Sequence, residues 1–317
     1  MRSFAGRNSV DSCDFGVDPE DVDVKRHDSV DEFRAVAEPL YRRDPVAYTI
    51  ELTLLRADSF PDDSLLLTVW GDGTPVGAAL QTPPYPLACN GIPVNAMDAL
   101  VGSLAEWRAD LTGVRGRRPS AVAFADAWNA ATGRAGRIST EERLYRLGTL
   151  RAPDAVTGNS RLANEGDRGQ LVDWLELFFE EAFSHLRDDG AGELFVDNAE
   201  VVGDRFVLWN VDGTPVSMAM LRAAAAGVSR IGPVFTPLAQ RGNGYGSAVT
   251  AAAADLAHRS GTPDVVLFAD LANPVSNAIY QRIGFEPVGD SVRIDFTPRP
   301  HACDGDNLPA VAGYSIW

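Results

Sequence analysis

The stretch QRGNGYGSA, residues 240–248, sets glycines at 242, 244 and 246 and runs into the alanine-rich segment SAVTAAAADLAHRS. Such a run suits an anion. A helix start leaves N–H groups unpaired and carries roughly half a positive charge, and glycine lets a phosphate approach the main chain with no Cβ in the way. An ordinary strand-to-helix turn that tolerates glycine accounts for these residues as well. Three better-defined motifs fit less well. A Walker loop needs a lysine before Ser or Thr, and the only lysine is Lys25. A dinucleotide fingerprint wants its third glycine one residue after Gly246. A nucleophile elbow needs Gly-x-Ser-x-Gly, whereas Ser247 follows Gly246 directly.

The second stretch with chemical promise is NPVSNAIYQRIGF, residues 273–285. Asn277 and Tyr280, three apart, share one face of a helix. By position alone Tyr280 reads as a core aromatic, and Asn273, before Pro274, as a helix cap or a ligand contact. Metal chemistry finds no support: Cys13, Cys89 and Cys303 are odd in number and far apart, and His27, His185, His258 and His301 share no ligand spacing.

Composition narrows the partners. The 317 residues carry a formal net charge of -16 and no arginine- or lysine-rich block, which argues against nucleic acid. No run approaches the roughly 20 apolar residues of a membrane span, and the N-terminal residues lack an apolar signal core. A cytoplasmic protein, monomer or homodimer, with no membrane partner is the expectation.

The elements that must position these residues come in two copies. LLLTVWGDGTPVGAAL (65–80) and RFVLWNVDGTPVSMAM (205–220) share the string DGTPV, each read as a hairpin turning on Asp-Gly. A helical pattern precedes each: VDEFRAVAEPLYRRD in the first half and DRGQLVDWLELFFEEAFSHL in the second. In the second copy GVSRIGPVFTP reads as a strand before the glycines. The helix after them ends at Gly261, DVVLFADL is the next strand, PVSNAIYQRI a short helix closed by Gly284, and FEPVGDSVRIDF the last segment. The first copy has no glycine cluster at the matching place. The expected division is an acidic, poorly ordered tail (1–24), a degenerate first domain (25–155), a second, ligand-binding domain (156–297) and a C-terminal tail (298–317), with a linker near 151–164.

Arg241, Gly244 and Gly246 meet the pattern Arg/Gln-x-x-Gly-x-Gly/Ala. With the Tyr-x-x-x-Gly-Phe that closes the following strand and helix, the last third of the chain resembles the GNAT N-acetyltransferase superfamily. The first half resembles a tandem GNAT partner that has lost its coenzyme site. The fold so implied is α/β (α+β): two tandem GNAT-like domains, each a mixed, mostly antiparallel sheet flanked by helices, with a splayed parallel strand pair in the second.

The resemblance implies acetyl-CoA as co-substrate, without a metal. Main-chain groups of Val234, Phe235 and Thr236 would pair with the pantetheine arm. The N–H groups of Arg241, Gly242, Asn243, Gly244, Tyr245, Gly246 and Ser247 would hold the pyrophosphate. Asn277 and Asn273 would contact the coenzyme, and Tyr280 would protonate the leaving thiolate. The acceptor implied is a small-molecule amine or a peptide or protein amine. GVSRIGPVFTP carries no carboxylate to serve as base, so Asp270, a water chain or a first-copy residue stay open. Arg222, Arg230 and Trp209 are candidates for an acceptor pocket and TPPYPL (82–87) for a lid. A non-catalytic acyl-CoA-binding protein and a transferase of longer acyl groups are the alternative functions.

Overall fold

The computed structural model describes residues 21–56, 60–183 and 189–298. In chain order the first copy runs β1 (Val22–Arg26), α1 (Val30–Tyr41), α2 (Thr49–Leu54), β2 (Leu65–Gly71), β3 (Thr74–Gln81), β4 (Leu87–Gly91), α3 (Met97–Trp107), β5 (Gly113–Arg117), α4 (Arg118–Thr132) and β6 (Gly136–Leu147). The second repeats it: β7 (Asn159–Leu162), α5 (Arg168–Phe183), α6 (Asp189–Val201), β8 (Arg205–Val211), β9 (Thr214–Leu221), β10 (Val228–Phe235), α7 (Tyr245–Arg259), β11 (Asp264–Asp270), α8 (Pro274–Arg282) and β12 (Phe285–Phe296).

The repeated pentapeptides make the same turn. Asp72 and Gly73 have φ of 50° and 73°, Asp212 and Gly213 of 48° and 81°, the two consecutive positive angles of a tight hairpin whose twist matches its strands. Both hairpins then shift register at the same step, where Pro75 lies opposite Trp70 and Pro215 opposite Asn210. A bulge there follows from proline's missing N–H.

All twelve strands form one sheet, in the order β1-β2-β3-β4-β5-β12-β6-β11-β10-β9-β8-β7. Adding six to each strand number of the first copy gives its counterpart, so the order is symmetric about the β12–β6 pair at the centre. The two copies exchange their last strands. β12 pairs with β5 of the first copy and β6 with β11 of the second. The cores follow: Val292, Ile294 and Phe296 of β12 pack with α3 and α4, while Tyr145 and Leu147 of β6 pack with α7. At about 1.5–3 kcal/mol for each large apolar side chain buried, the three β12 residues tie the copies together by several kcal/mol.

Three boundaries differ from the sequence reading. The acidic tail drawn as 1–24 gives way to β1, whose Val22 and Val24 pack on the first core; residues 1–20 and 299–317 lie outside the described residues. The linker near 151–164 contains β7, paired with β8 over Asn159–Leu162. The division at 155/156 separates the copies in sequence and not in space, because each half of the sheet includes a strand of the other copy.

Each face of the sheet takes helices. α5 and α6 cover one side of the second copy through Leu175, Phe179 and Phe195 against Met218 and Met220. α7 covers the other through Val249, Ala253, Ala254 and Ala257. Alanine at those positions brings the helix axis close to the strands. Gly261, with φ of 82°, ends α7 as expected from the sequence.

Candidate functional site

The site begins where two parallel strands part. β10 and β11 pair only over Val228–Ile231 and Asp264–Leu267. Beyond that, β10 stays with β9 on its other side, Val234 opposite Ala219 and Phe235 opposite Met218, after a register shift between Ile231 and Val234. β11 stays with β6 as far as Asp270. The gap between Gly232–Thr236 and Phe268–Asp270 is thus a cleft with main chain on both walls, open to an extended ligand. Its β10 wall is not wholly free. The Phe235 carbonyl accepts the Ser217 hydroxyl at 3.0 Å, and the Thr236 carbonyl accepts Arg241 Nε at 2.8 Å.

At the mouth of the cleft the chain makes a short 3-10 turn, Leu238–Gln240, then the glycine loop, then α7. Gly242 and Gly244 have φ of 84° and 80°, angles that glycine adopts without Cβ strain. Gly244 is the N-cap of α7 and makes no side-chain cap. Gly246 needs its bareness for another reason: a Cβ there would meet Thr236 Oγ1 at 3.3 Å. The Arg241 N–H is already bonded to the Leu238 carbonyl at 3.3 Å, which removes it from the seven amides expected to face a diphosphate. The other six, Gly242 through Ser247, have no acceptor among the described residues. Arg241 itself is held by Glu181, its Nη2 at 2.6 Å from Oε2, and so fastens the loop to α5. Unpaired amides converging at a helix start form a nest for a doubly charged anion. The residues present therefore fit a diphosphate.

α8 forms the far wall. Its N-cap is Asn273, whose side chain accepts from the Ser276 N–H at 3.0 Å, with Pro274 in the first turn. Asn273 thus has the cap role that was one of its two readings. Asn277 is committed inside the protein. Its amide donates to the carbonyls of Asp270 and Asn273, each at 2.7 Å, and its Oδ1 accepts from the Tyr145 hydroxyl at 2.8 Å. With both N–H donors engaged, Asn277 joins α8 to β11 and to the exchanged strand β6. Asp270 turns its carboxylate back onto the Ala272 N–H at 2.8 Å, a strand-end turn.

Tyr280 differs from its neighbours. Its ring is part-buried against Phe285, centroids 6.2 Å apart and edge to face, and its hydroxyl has no hydrogen-bond partner among the described residues. The apolar surroundings push its pKa up to about 12, because burial penalises the phenolate. The hydroxyl therefore stays protonated at neutral pH.

The three residues proposed for an acceptor pocket divide. Trp209 donates its Nε1–H to the Thr157 carbonyl at 2.9 Å, securing the linker. Arg222 is buried and paired with Asp204 at 2.9 Å. Arg230, also buried, stands beside Arg222 on a cavity wall that Tyr85 of TPPYPL shares. By sequence both arginines were acceptor-pocket candidates, and both line a cavity wall. The burial of Arg230 follows its phase: it alternates with Val228, so the two face the same side of a buried strand. Among the described residues no cluster of His, Cys, Asp or Glu could hold a metal ion, and no helix is long and apolar enough to cross a membrane.

Comparison with known proteins agrees with this geometry. Residues 169–285, which hold the glycine loop, the splayed strands and Tyr280, match the model of the acetyltransferase (GNAT) family. No curated protein matches the chain. Solved structures do. A GCN5-related N-acetyltransferase of Sphaerobacter thermophilus superposes with a TM-score of 0.61 at 16% identity, over 87% of this chain and 96% of that one. A GNAT-family acetyltransferase of Colwellia psychrerythraea gives 0.58 at 10%, over 87% and 100%. A tandem GNAT protein from the clavulanic acid biosynthesis pathway gives 0.56 at 14%, over 90% and 100%. At these identities the superpositions speak for the fold, and the family match for the second copy: the chain has a tandem GNAT fold, and residues 169–285 of its second copy match the acetyltransferase (GNAT) family.

Proposed function

We propose that the second copy transfers an acetyl group from acetyl-CoA to an amine. The observation that carries this reading is the set of six acceptor-free amides at the start of α7, beside a splayed strand pair and a tyrosine hydroxyl with no partner. The diphosphate rests on those amides. The pantetheine arm runs along Val234–Thr236 and brings the thioester towards Tyr280. The amine nitrogen attacks the thioester carbonyl, a C–N bond forms, and a main-chain N–H of the splayed strand steadies the oxyanion. The C–S bond then breaks, the thiolate takes the Tyr280 proton, and the attacking nitrogen gives its proton to water.

Proton delivery sets a condition. From a hydroxyl with a pKa of about 12 to a thiol of about 8.5, complete transfer is uphill by roughly 5 kcal/mol. Transfer therefore accompanies C–S cleavage. Freeing an alkylammonium of pKa about 10 costs another 4 kcal/mol or so at neutral pH, and the carboxylates flanking the end of β11 are engaged. Asp270 holds a turn, while Glu141 and Glu142 pair with Arg118 and Arg115. This shortage of a free base favours amines of low pKa. It also supports the second reading, a non-catalytic acyl-CoA-binding protein.

The deciding experiment supplies the full chain with acetyl-CoA and amines graded in pKa and follows free thiol. Release that rises as the amine pKa falls supports the transferase. Coenzyme binding without thiol release on any amine selects the non-catalytic reading. Repeating the assay with longer acyl-CoAs fixes the donor.

A further inference from the structure

A buried cation with nothing to pair with is costly, and this chain has one. Arg230 is 3% exposed, and its Nη1 has no hydrogen-bond partner among the described residues. It lies on the wall of a cavity of about 170 Å³ between the two copies. The first copy supplies Ile50 and Leu54 of α2 and Tyr85 of the β3–β4 connection; the second supplies Phe195 of α6, Arg222 and Arg230. We propose that this cavity is a binding site for a small carboxylate with an apolar body, bound through the guanidinium of Arg230.

The charges around the cavity support an anion. Among the described residues no Asp or Glu lines it. The carboxylates that act on Arg230 are Asp204 and Glu51, neither of them on the cavity wall. Asp204 already takes Arg222 at 2.9 Å and the Ala223 N–H at 2.7 Å. Glu51 is wholly buried, which raises its pKa and weakens its hold on a negative charge. The nearby cations are Arg222 and Arg115, of which Arg115 is paired with Glu142 at 2.6 Å. Arg56, also on the cavity wall, binds only the carbonyls of Ala223 and Val202, each at 2.9 Å. Burial and the two neighbouring arginines lower Arg230 to about 9, so it remains a cation at neutral pH. In a chain of net charge -16, a cavity walled by three arginines and no carboxylate is a local reversal of sign.

The rest of the wall defines the ligand's body. Ile50, Leu54 and Phe195 offer apolar surface, and an apolar cavity of about 150 Å³ accommodates a benzene ring. A guanidinium fork matches the two oxygens of a carboxylate. The site is separate from the coenzyme cleft in one respect: Ile231 packs with α7 while Arg230, next in the strand, points to the other face of the sheet. It therefore does not depend on the acetyl transfer reading.

The test is calorimetric titration of the full chain with phenylacetate and with its neutral isostere phenylacetamide. Saturable one-to-one binding of phenylacetate, with the amide at least about ten-fold weaker, is the expected result. Arg230→Met should lose that preference while melting at the same or a higher temperature, since it removes an unpaired buried charge. Arg230→Lys, which keeps the charge, should retain part of the binding. Equal affinity for acid and amide, no binding of either at millimolar concentration, or binding unchanged in Arg230→Met overturns the proposal.

Discussion

The two copies share a chain path and differ in three local ways at the cleft. Each reaches a proline after its fourth strand, Pro93 or Pro237, and a short 3-10 turn, Val94–Ala96 or Leu238–Gln240. In the first copy α3 begins at the very next residue, Met97, whereas in the second Arg241–Gly244 intervene before α7. The loop that presents free amides is thus missing from the first copy, and Ala96 and Met97 are buried in its place. The cleft is closed as well: Asn90 Oδ1 accepts the Arg117 N–H across it at 2.6 Å, and Gly116 sits so near Cys89 that an added Cβ would meet Sγ at 2.8 Å. Last, Ala125 follows Pro119 at the interval by which Tyr280 follows Pro274. The first copy therefore differs from the second at the cleft by a shorter loop, one bridging side chain and one small residue, with the sheet and the helix order the same.

That contrast can be broken most directly at Gly244. With φ of 80°, Val156 3.1 Å from an added Cβ and a diphosphate expected alongside, Gly244→Asp should weaken coenzyme A binding at least about 100-fold, or roughly 3 kcal/mol. Asn95→Asp, the same charge in the first copy, should leave it unchanged. Calorimetry on both variants checks the loop assignment, and an unaltered affinity in Gly244→Asp rejects it. The next effect belongs to Tyr280. Tyr280→Phe should slow turnover about 10- to 100-fold with coenzyme affinity nearly constant, and full turnover would remove the hydroxyl from the acid role. An unfolded tyrosine ionises near 10 and Tyr280 near 12, so stability falls as pH rises between those values. Denaturant melts from pH 10 to 12 should show the phenylalanine variant losing less.

Smaller effects sharpen the view of the exchanged strands and the duplicated turns. Arg143 of β6 holds Asp290 of β12 through two bonds, 2.7 and 3.0 Å, and keeps that carboxyl below its usual range. Both side chains are about one-third exposed, so Asp290→Asn should cost only about 1 kcal/mol at neutral pH. The difference should be present above the unfolded carboxyl pKa near 4 and disappear as pH falls through the lower folded value. Thermal melts at pH 7 and pH 2.5 would read it. Gly73→Ala and Gly213→Ala, at φ of 73° and 81°, should each lose about 1 kcal/mol. Equal losses would mark the two turns as equivalent in energy as well as in shape.

The hairpins, the glycine loop and α8 were legible because each rests on local chemistry: Asp-Gly at positive φ, glycine beside a helix start, apolar spacing of about four. The roles of Asn277 and Asn273 were less so, since an amide on a helix face looks the same whether it serves a ligand or the carbonyls of Asp270 and Asn273. The exchange of β6 and β12 left no mark that local pattern could reveal. An edge of sheet accepts any strand with suitable alternation, and which copy provides it is decided by long-range packing of Phe296, Ile294 and Tyr145. Arg230 was legible as a pocket candidate but not as a buried, unpartnered cation, because arginine is so often solvated, although its phase with Val228 pointed inward.

The paired central strands have a corollary. A fragment ending after Leu147 would leave β5 without the neighbour it has here, and one starting at Asn159 would leave β11 with a bare edge, so each half would have to close that seam with its own last strand before it could stand alone. The first copy thus serves the second as scaffold whether or not it carries chemistry of its own.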